Sequence, residues 1–342
     1  MSRRMTIYEF AREVGVSTGT IYRALNGRSD INPGTRDLVL RRMRELGYRP
    51  SRAALALSTG KSRTIALWLS GLSSSYAIAV LQASWRPVND AGYEMVVRDV
   101  MAPSVLDPDN GGLSDWPVDG VLLVDPGPIV AAYVRGPHRP RAAMVAMGRL
   151  VMDDLDAVEV DLRPGVQAAM QRLIDIGCRR IAYFVHAHYT EEPDETRHAI
   201  YRDAVLNAGR EPEYILIKTR ERGEAREAIR AYVRDRGAPD GIFCYNDDIA
   251  LGAYRGLLDL GIRVPDDVSL IGCDGIEDTG YTERPLTTIQ LPVAEMAAAG
   301  WRLLQRRIQE PDAPLETVRL TTRLLVRDSA AAPVDPQSTR LL

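Results

Sequence analysis

The chain of 342 residues is 45% hydrophobic and 26% charged, proportions typical of soluble globular proteins and sufficient for two or three folding units. No stretch approaches the roughly 18 uninterrupted apolar residues of a membrane span, and no apolar run with a cleavage site follows Met1, so neither a membrane segment nor a signal peptide is expected. The cysteines Cys178, Cys244 and Cys273 lie far apart in or beside apolar segments, which predicts reduced core residues in a cytoplasmic protein.

The net charge of −3 conceals two regions of opposite sign. Residues 1–63 contain 13 Lys and Arg against 5 Asp and Glu, a net charge of +8, and the remainder therefore carries −11. A basic N-terminal region on an acidic body predicts a polyanionic partner for that region alone.

The segment from Thr6 to Asn26 predicts two short helices joined by a tight turn. Thr6 and Glu9 have the spacing of a capping box. Gly15 can end the first helix in the left-handed conformation, and Ser17 is a preferred N-cap for the second. The apolar residues predicted to face inward are Ile7, Phe10, Ala11, Val14, Ile21 and Leu25.

The other face of the second helix carries small or hydrogen-bonding residues and one arginine: Ser17, Thr18, Gly19, Thr20, Tyr22, Arg23 and Asn26. Such a helix start suits the DNA major groove, where helix N-terminal amides meet phosphates and side chains reach base edges. The same spacing also fits a small helical unit that packs on a larger domain.

A third helix is predicted after a polar loop, with Asn32 as its N-cap and Pro33 in the first position. Its inward stripe comprises Val39, Met43 and Leu46. Residues 51–58 then offer two turns of good helix formers without an apolar stripe of their own. Because so short a helix is marginal in water, this segment is predicted to be a linker that orders only when something holds it.

From Thr64 onward, almost wholly apolar strands alternate with amphipathic helices, which predicts an α/β fold of parallel sheets covered on both faces. The expected strands are Thr64–Leu69, Tyr93–Arg98, Gly120–Val124, Ala143–Met147, Ala157–Val160, Arg180–Val185, Tyr214–Lys218, Gly241–Cys244, Ser269–Gly272 and Thr287–Gln290. The expected helices include Val166–Ile176, Thr196–Ala208, Gly223–Asp235 and Ile249–Leu260. This number of strands suits two units, with ligands bound outside the carboxyl ends of the strands.

Seven motifs occur in one order along the chain: Ala-Arg-Glu-Val-Gly-Val-Ser at 11–17, Arg-Ala-Leu-Asn at 23–26, Glu-Leu-Gly-Tyr-Arg-Pro at 45–50, Asp-Gly-Val-Leu-Leu-Val at 119–124, Tyr-Asn-Asp-Asp-Ile-Ala-Leu-Gly-Ala at 245–253, Val-Pro-Asp-Asp-Val-Ser-Leu-Ile-Gly-Cys-Asp at 264–274 and Pro-Leu-Thr-Thr-Ile at 285–289. On these motifs the chain resembles, over about residues 5–328, the lactose-repressor/galactose-repressor family of bacterial transcription regulators.

The resemblance implies a three-helix helix-turn-helix head at 1–50 and a hinge helix with its linker at 51–62. A periplasmic-binding-protein-like core of two parallel-sheet subdomains would follow. The first subdomain would comprise 63–160 and 291–318, the second 161–290 and 319–328, and a flexible tail would occupy 329–342.

The resemblance also implies which residues meet DNA. Arg23 is the expected base reader, since a guanidinium can bridge guanine O6 and N7. Tyr22 departs from the family pattern, and it fits either DNA contact or packing. Leu57 matches a leucine that wedges into the minor groove, or it forms an apolar contact between two hinges. The full predicted set is Thr6, Ser17, Thr18, Gly19, Thr20, Tyr22, Arg23, Asn26, Ser51, Arg52, Ala54 and Leu57.

For a small-molecule effector, the resemblance implies the residues Tyr76, Asp161, Arg197, Asn246 and Asp274. Two carboxylates, a guanidinium and an amide suit the hydroxyl groups of a sugar or the edges of a purine. Leu291 stands where the family often has glutamine. His186 and His188 stand in a loop that is often rich in glycine, where they would meet an acidic ligand or fill space.

The resemblance therefore predicts a homodimeric repressor of a carbohydrate-related operon, released from a pseudo-palindromic DNA operator by a sugar or sugar derivative. The alternatives are a small-molecule-binding protein without a role in transcription and a co-repressor-dependent regulator with a sugar acid or nucleobase effector. The sequence shows no metal-ligand cluster, glycine-rich phosphate loop or nucleophile with a base, so no cofactor, metal or enzymatic activity is expected.

Overall fold

A computed structural model of the chain describes residues 5–25, 28, 30–48, 61–101, 117–137, 139–190, 195–219 and 221–330. The predicted DNA-binding residues Asn26, Ser51, Arg52, Ala54 and Leu57 lie outside the described residues. None of the helices in these ranges has the length and apolar character needed to cross a membrane.

The head consists of helices α1 (Ile7–Val14), α2 (Thr18–Leu25) and α3 (Pro33–Glu45) around a small apolar core. The rings of Phe10 and Tyr48 stack there with centroids 4.1 Å apart. Ile21 is fully buried, as the sequence predicts, but Ala24 takes the second buried position on α2 and Leu25 is only half-buried. Ala24 is on the side of α2 that faces the small core, and Leu25 packs only at the edge of that core.

The first core subdomain is built on a six-stranded sheet in the order β11-β5-β4-β3-β1-β2. The strands are β1 (Thr64–Leu69), β2 (Glu94–Asp99), β3 (Gly120–Val124), β4 (Ala143–Gly148), β5 (Asp156–Asp161) and β11 (Thr317–Thr321), all of them parallel to their neighbours. Its helices are α4 (Ser75–Asp90), α5 (Pro128–Arg135) and α10 (Val293–Gln309).

The second subdomain is built on another six-stranded sheet, in the order β12-β10-β9-β8-β6-β7. The strands are β6 (Ile181–His186), β7 (Glu213–Ile217), β8 (Gly241–Cys244), β9 (Ser269–Asp274), β10 (Thr287–Gln290) and the antiparallel edge strand β12 (Arg323–Leu325). Its helices are α6 (Arg163–Asp175), α7 (Thr196–Asn207), α8 (Arg222–Arg236) and α9 (Asp247–Asp259).

The structure confirms the predicted α/β class with a helix-turn-helix head. The bounds of β1, β3, β8 and β10 are those that the sequence predicts. The set of ten expected strands lacked β11 and β12, because β11 alternates between exposed and half-buried residues and so presents no apolar run.

Three segments connect the two subdomains, after β5, after β10 and after β11. The buried Thr322 ties two of them together, since its backbone N and its Oγ1 donate to the carbonyl of Asp161 at 3.2 and 3.0 Å. Gly165 allows this close approach, because a Cβ there would collide with Ile289 and Thr322. The subdomain boundary predicted between 318 and 319 falls inside β11, and the chain leaves the first sheet only after Thr321.

The end of the described chain is part of the second subdomain. Ser329 and Ala330 are fully buried, and the Ser329 hydroxyl donates to the carbonyl of Leu270 at 2.6 Å while it accepts from the backbone N of Thr287 at 2.8 Å. These bonds satisfy backbone groups of β9 and β10, so the tail that was predicted from residue 329 begins no earlier than 331. Residues 331–342 lie outside the described ranges.

Candidate functional site

The head has the local geometry that the sequence predicts for a helix-turn-helix. Thr6 and Glu9 form a complete capping box, with the Thr6 N donating to Glu9 Oε2 at 2.8 Å. Gly15 closes α1 in the left-handed conformation with a φ of 77°. Ser17 caps α2, since its hydroxyl accepts from the backbone N of Thr20 at 3.1 Å.

The residues predicted to meet DNA fall into two groups on this unit. Thr6, Ser17 and Thr20 hydrogen-bond at the helix starts, where the hydroxyls of Ser17 and Thr20 also lie 2.9 Å apart. A second group lies along the outer face of α2, where Gly19 and Arg23 are exposed and Thr18 and Tyr22 are half-buried.

The guanidinium of Arg23 is held only loosely by the protein. Its Nε donates to the carbonyl of Gly19 at 3.4 Å, and its Nη1 lies 4.0 Å from the Asp30 carboxylate. About half of the side chain is exposed, at 49%. Because these contacts are long and exposed, the guanidinium can leave them for a base edge at small cost.

The second site is a cavity of about 520 Å³ between the two subdomains, called the cleft cavity below. It lies at the carboxyl ends of the strands of both sheets, as expected for ligand sites in such folds. Its polar lining residues are Ser70, Ser74, Tyr76, Asp125, Arg149, His188, Tyr189, Arg197, Tyr245, Asn246 and Asp274. Apolar lining residues are Leu69, Ala77, Val100, Met101, Val124, Gly127, Pro128, Ile129, Val130 and Leu150.

Arg197 is buried and fixed by its neighbours. Its Nε donates to Glu195 Oε1 and its Nη1 donates to the carbonyl of Tyr245, both at 2.9 Å. The guanidinium lies 3.4 Å from the ring centroid of Tyr245, and Tyr189 stacks on that ring at 4.4 Å. Burial acts to raise the pKa of Glu195, but the charges of Arg197 and Arg149 outweigh burial and lower it.

Arg149 and Asp125 form the wall that the first subdomain contributes. The Arg149 Nε lies 3.6 Å from Asp125 Oδ2, and its Nη1 lies 3.9 Å from Glu195 Oε1. Asp125 has a φ of 46°, and its Oδ1 accepts from the backbone N of Arg149 at 2.6 Å and of Leu150 at 3.1 Å. Burial acts to lower the pKa of Arg149, yet the neighbouring Asp125 carboxylate outweighs it and the pKa is raised.

Asn246 and Asp274 belong to the wall of the second subdomain. Asn246 Oδ1 accepts from the backbone N of Ile249 at 2.9 Å and caps α9, so the amide nitrogen is the group left for the cavity. Asp274 ends β9 with a φ of 133°, a strained conformation for a residue with a side chain. Burial, followed by the charge of Asp247, raises the pKa of Asp274 well above its usual range.

The structure brings Tyr76, Arg197, Asn246 and Asp274 together at the cavity, but not Asp161. The Asp161 carboxylate accepts from the backbone N of Arg163 at 3.0 Å and pairs with the Arg163 side chain at 3.3 Å. It therefore bonds to the first residue of α6 at the crossing between the sheets, because β5 ends where the chain turns toward the second subdomain.

Several cavity residues were missed by the sequence prediction. Asp125 and Arg149 directly follow the apolar strands β3 and β4, so inspection of every strand end would have found them.

His188 lines the cavity, whereas His186 bonds to the carbonyl of Lys218 and accepts from the backbone N of His188 at 3.2 Å. Leu291 is buried in the apolar core and does not line the cavity.

The two walls are also joined directly by a hydrogen-bonded cluster beside the cavity. Ser75 of the first subdomain donates to the buried Asp248 of the second, from its N at 3.0 Å and its hydroxyl at 2.7 Å. Arg222 donates to Asp248 at 2.8 Å, to the Ser75 hydroxyl at 3.0 Å and to Asp278 at 2.7 Å. Since these bonds span both subdomains, any change in their relative angle must break or rearrange them.

Two family models match the chain. Residues 6–51 match bacterial regulatory proteins of the lacI family, and residues 170–330 match a periplasmic binding protein-like domain. The regulator CelR of Thermobifida fusca is 31% identical over 96% of this chain and 98% of its own length. The ribose operon repressor of Halalkalibacterium halodurans is 27% identical over 95% of this chain and 96% of its own length.

Solved structures show the same architecture. A CelR–cellobiose complex is 27% identical, covers 95% of this chain and 100% of its own, and has a TM-score of 0.65. A lac repressor dimer bound to operator is 22% identical, covers 96% and 100% of the two chains, and has a TM-score of 0.79. Because the lac repressor is only 22% identical to this chain, its similarity shows the fold alone.

Proposed function

This chain belongs to the lacI family of bacterial regulatory proteins, DNA-binding transcription regulators rather than enzymes, and we propose that it is a homodimeric repressor of a carbohydrate-related operon. The repressor leaves its operator when a small-molecule effector fills the cleft cavity. A regulator of this class acts where the DNA is, and we place it in the cytoplasm.

The observation that carries this proposal is the composition of the cavity walls. One wall comes from the first subdomain, with Tyr76, Asp125 and Arg149, and the other from the second, with Arg197 and Asp274. A ligand that contacts both walls binds one relative angle of the subdomains better than another, and it shifts the population toward that angle.

The shift reaches DNA through the segment between head and core. Asp119, at the start of β3, accepts from the backbone N of Ser62 at 2.6 Å and of Arg63 at 3.0 Å. A movement of the first subdomain is therefore passed to the residues that lead to the hinge. Two hinges with Leu57 at the centre of a pseudo-palindrome, and two copies of α2 in adjacent major grooves, form the DNA-binding state.

We assign the effector to the sugars or sugar derivatives. The relatives include CelR, which has been solved in complex with cellobiose, and a ribose operon repressor. The donors and acceptors at the cleft cavity, together with the ring of Tyr76, suit hydroxyl groups and the apolar face of a sugar ring.

The test begins with selection of an operator from random-sequence duplexes by the full chain, followed by gel shifts. Arg23→Ala and Leu57→Ala should each weaken binding to the selected operator by at least about tenfold, since each removes a groove contact. Arg163→Ala, which removes an exposed arginine of the core, is the matched control and should bind as wild type does. Wild-type affinity in both head and hinge variants would overturn the proposal.

The same gel shifts distinguish the alternatives. A co-repressor-dependent regulator would bind the operator more tightly when the effector is added. A small-molecule-binding protein without a role in transcription would show weak affinity of similar strength for every DNA sequence.

A further inference from the structure

The charged groups at the cleft cavity are already balanced by one another. Arg197 pairs with Glu195 at 2.9 Å, and Arg149 lies 3.6 Å from Asp125. Each guanidinium thus has a carboxylate of the protein beside it. An arginine that is neutralised in this way offers a ligand hydrogen bonds but little net positive charge.

Asp125 cannot easily be displaced from Arg149 when a ligand arrives. Its Oδ1 is held by two backbone amides, those of Arg149 and Leu150, at 2.6 and 3.1 Å. Gly148 has a φ of 125°, and a Cβ there would collide with the Asp125 carboxylate. The loop after β4 is therefore built around this carboxylate, which keeps the negative charge beside Arg149.

Hydrogen-bond donors nevertheless remain unused at both arginines. The Arg149 side chain forms no hydrogen bond to any described residue, since both of its ion-pair contacts exceed 3.5 Å. The Nη2 of Arg197 is buried and has no hydrogen-bond partner in the described part of the chain. Unsatisfied buried donors favour a ligand that brings neutral acceptor oxygens to them.

Asp274 adds a third carboxyl group to the same cavity. Its side chain accepts no hydrogen bond from the residues that the structure describes, and it is 9% exposed. A ligand hydroxyl can hydrogen-bond to Asp274, whereas a ligand carboxylate would lie near the Asp125 and Glu195 carboxylates that pair with the two arginines. Carboxylates confined together in a site of low dielectric repel one another strongly.

The rest of the cavity lining is apolar and includes Met101, Ile129, Val130 and Leu150. A volume of about 520 Å³ lies within the range of roughly 300–1,000 Å³ that small-ligand sites occupy. The ligand that fits therefore combines hydroxyl groups with carbon-bound hydrogens, as a saccharide does.

We propose that the effector is an uncharged saccharide, and that the Arg149–Asp125 pair is the specificity determinant that rejects sugar acids. This inference rests on the proposed function of the cleft cavity as the effector site. Arg149 supplies the donors that bind saccharide oxygens, and Asp125 cancels the charge that would otherwise attract a carboxylate.

The test is calorimetric titration of the full chain with matched pairs of ligands, each a neutral sugar and the uronic acid derived from it. The pairs are glucose and glucuronate, galactose and galacturonate, and cellobiose and the corresponding uronate. The titrations are run at pH 8 for both members of each pair. We expect binding of a neutral member, with at least tenfold weaker binding of its acid.

Two variants should move this preference in opposite directions. Asp125→Asn keeps an acceptor for the two backbone amides but frees the charge of Arg149, so the preference for the neutral sugar should shrink severalfold. Arg149→Gln leaves Asp125 unpaired, so neutral binding should weaken and the acid should be rejected still more strongly. Asp153→Asn, an exposed carboxylate that pairs with Arg135, is the control and should leave the ratio unchanged.

Tighter binding of an acid, binding of no neutral member, or an unchanged ratio in both cavity variants would overturn the inference. If Asp125→Asn fails to fold, as judged by circular dichroism, Arg149→Gln decides alone. Gel shifts with the same preparations separate this inference from the proposed function. Release of the operator by an acid alone would refute the ligand class, whereas saccharide binding without any change in operator affinity would refute the proposed function.

Discussion

In the head, Ser17 and Thr20 lie near the surface and hydrogen-bond within one turn of α2, whereas Arg197 in the cleft cavity is buried and hydrogen-bonds to a distant part of the chain. The hydrogen-bonded pair Ser17 and Thr20 is three residues apart in the sequence, but Arg197 and Tyr245, whose carbonyl it contacts, are 48 residues apart. The head is therefore built from local contacts, and the cavity from contacts that exist only after both sheets have formed. This difference decides what each substitution should disturb.

The largest effect is expected at Arg197. Arg197→Met leaves the buried Glu195 carboxylate without its close partner, which should destabilise the core by about 3–5 kcal/mol. Urea denaturation of the full chain, followed by tyrosine and tryptophan fluorescence, measures the change. Arg163→Met, which removes an exposed ion pair with Asp161, should change the midpoint little. Equal losses of stability in the two variants would show that the buried ion pair is no more important than the exposed one.

A core substitution in the head should act on DNA binding alone. Phe10→Ala removes the stacking partner of Tyr48 and should cost the head about 3 kcal/mol, enough to unfold much of so small a unit. Operator binding should be lost while calorimetric binding of saccharide to the core is retained. Saccharide affinity that falls together with operator affinity would show that the two sites do not fold separately.

Cap residues offer a smaller effect that is again confined to the head. Ser17→Ala removes the acceptor for the Thr20 backbone N and should destabilise the head by about 1 kcal/mol. Thr18→Ala, at the neighbouring position, is the control and should be nearly neutral for stability, since among the described residues the Thr18 side chain forms no capping hydrogen bond. Hydrogen exchange of the α2 amides measures both, and equal protection in the two variants would contradict the role of Ser17 as a cap.

The smallest predicted effect is a loss of stability at low pH. The pKa of Glu195 is lower in the folded core than its ordinary value. The ionised Glu195 therefore stabilises the core when the pH is above the ordinary pKa. This contribution is lost as the pH falls through the folded-state pKa. The difference in urea midpoint between wild type and Glu195→Gln should therefore be larger at pH 6 than at pH 3.5. If this difference in urea midpoint did not change with pH, the ion pair between Glu195 and Arg197 could not be its cause.

The same division explains which features the sequence could predict. The capping box of Thr6 and Glu9 and the bounds of β1, β3, β8 and β10 follow from local patterns, and the structure has them. The half-exposed edge strand β11 was missed because a strand that alternates on a sheet edge presents little apolar signal.

The cavity was only partly predictable, because it depends on which strand ends meet. Asn246 and Asp274 could be assigned through motifs and Arg197 through the family resemblance, and the structure places all three at one cavity. Asp161 is the last residue of β5, but that strand ends at the crossing, where the carboxylate accepts from the backbone N of Arg163. Asp125 and Arg149 meet because β3 and β4 are neighbours in the sheet, a pairing that no local pattern in the sequence reveals.

The claim that one ligand in the cleft cavity controls DNA binding by the head is tested most directly by reciprocal titration. The neutral saccharide that binds tightest in the matched pairs is titrated into the full chain with and without saturating operator DNA, and operator affinity is measured with and without that saccharide. Linkage predicts that operator weakens saccharide binding by the same factor by which saccharide weakens operator binding. Saccharide affinity that is identical with and without operator would contradict the account.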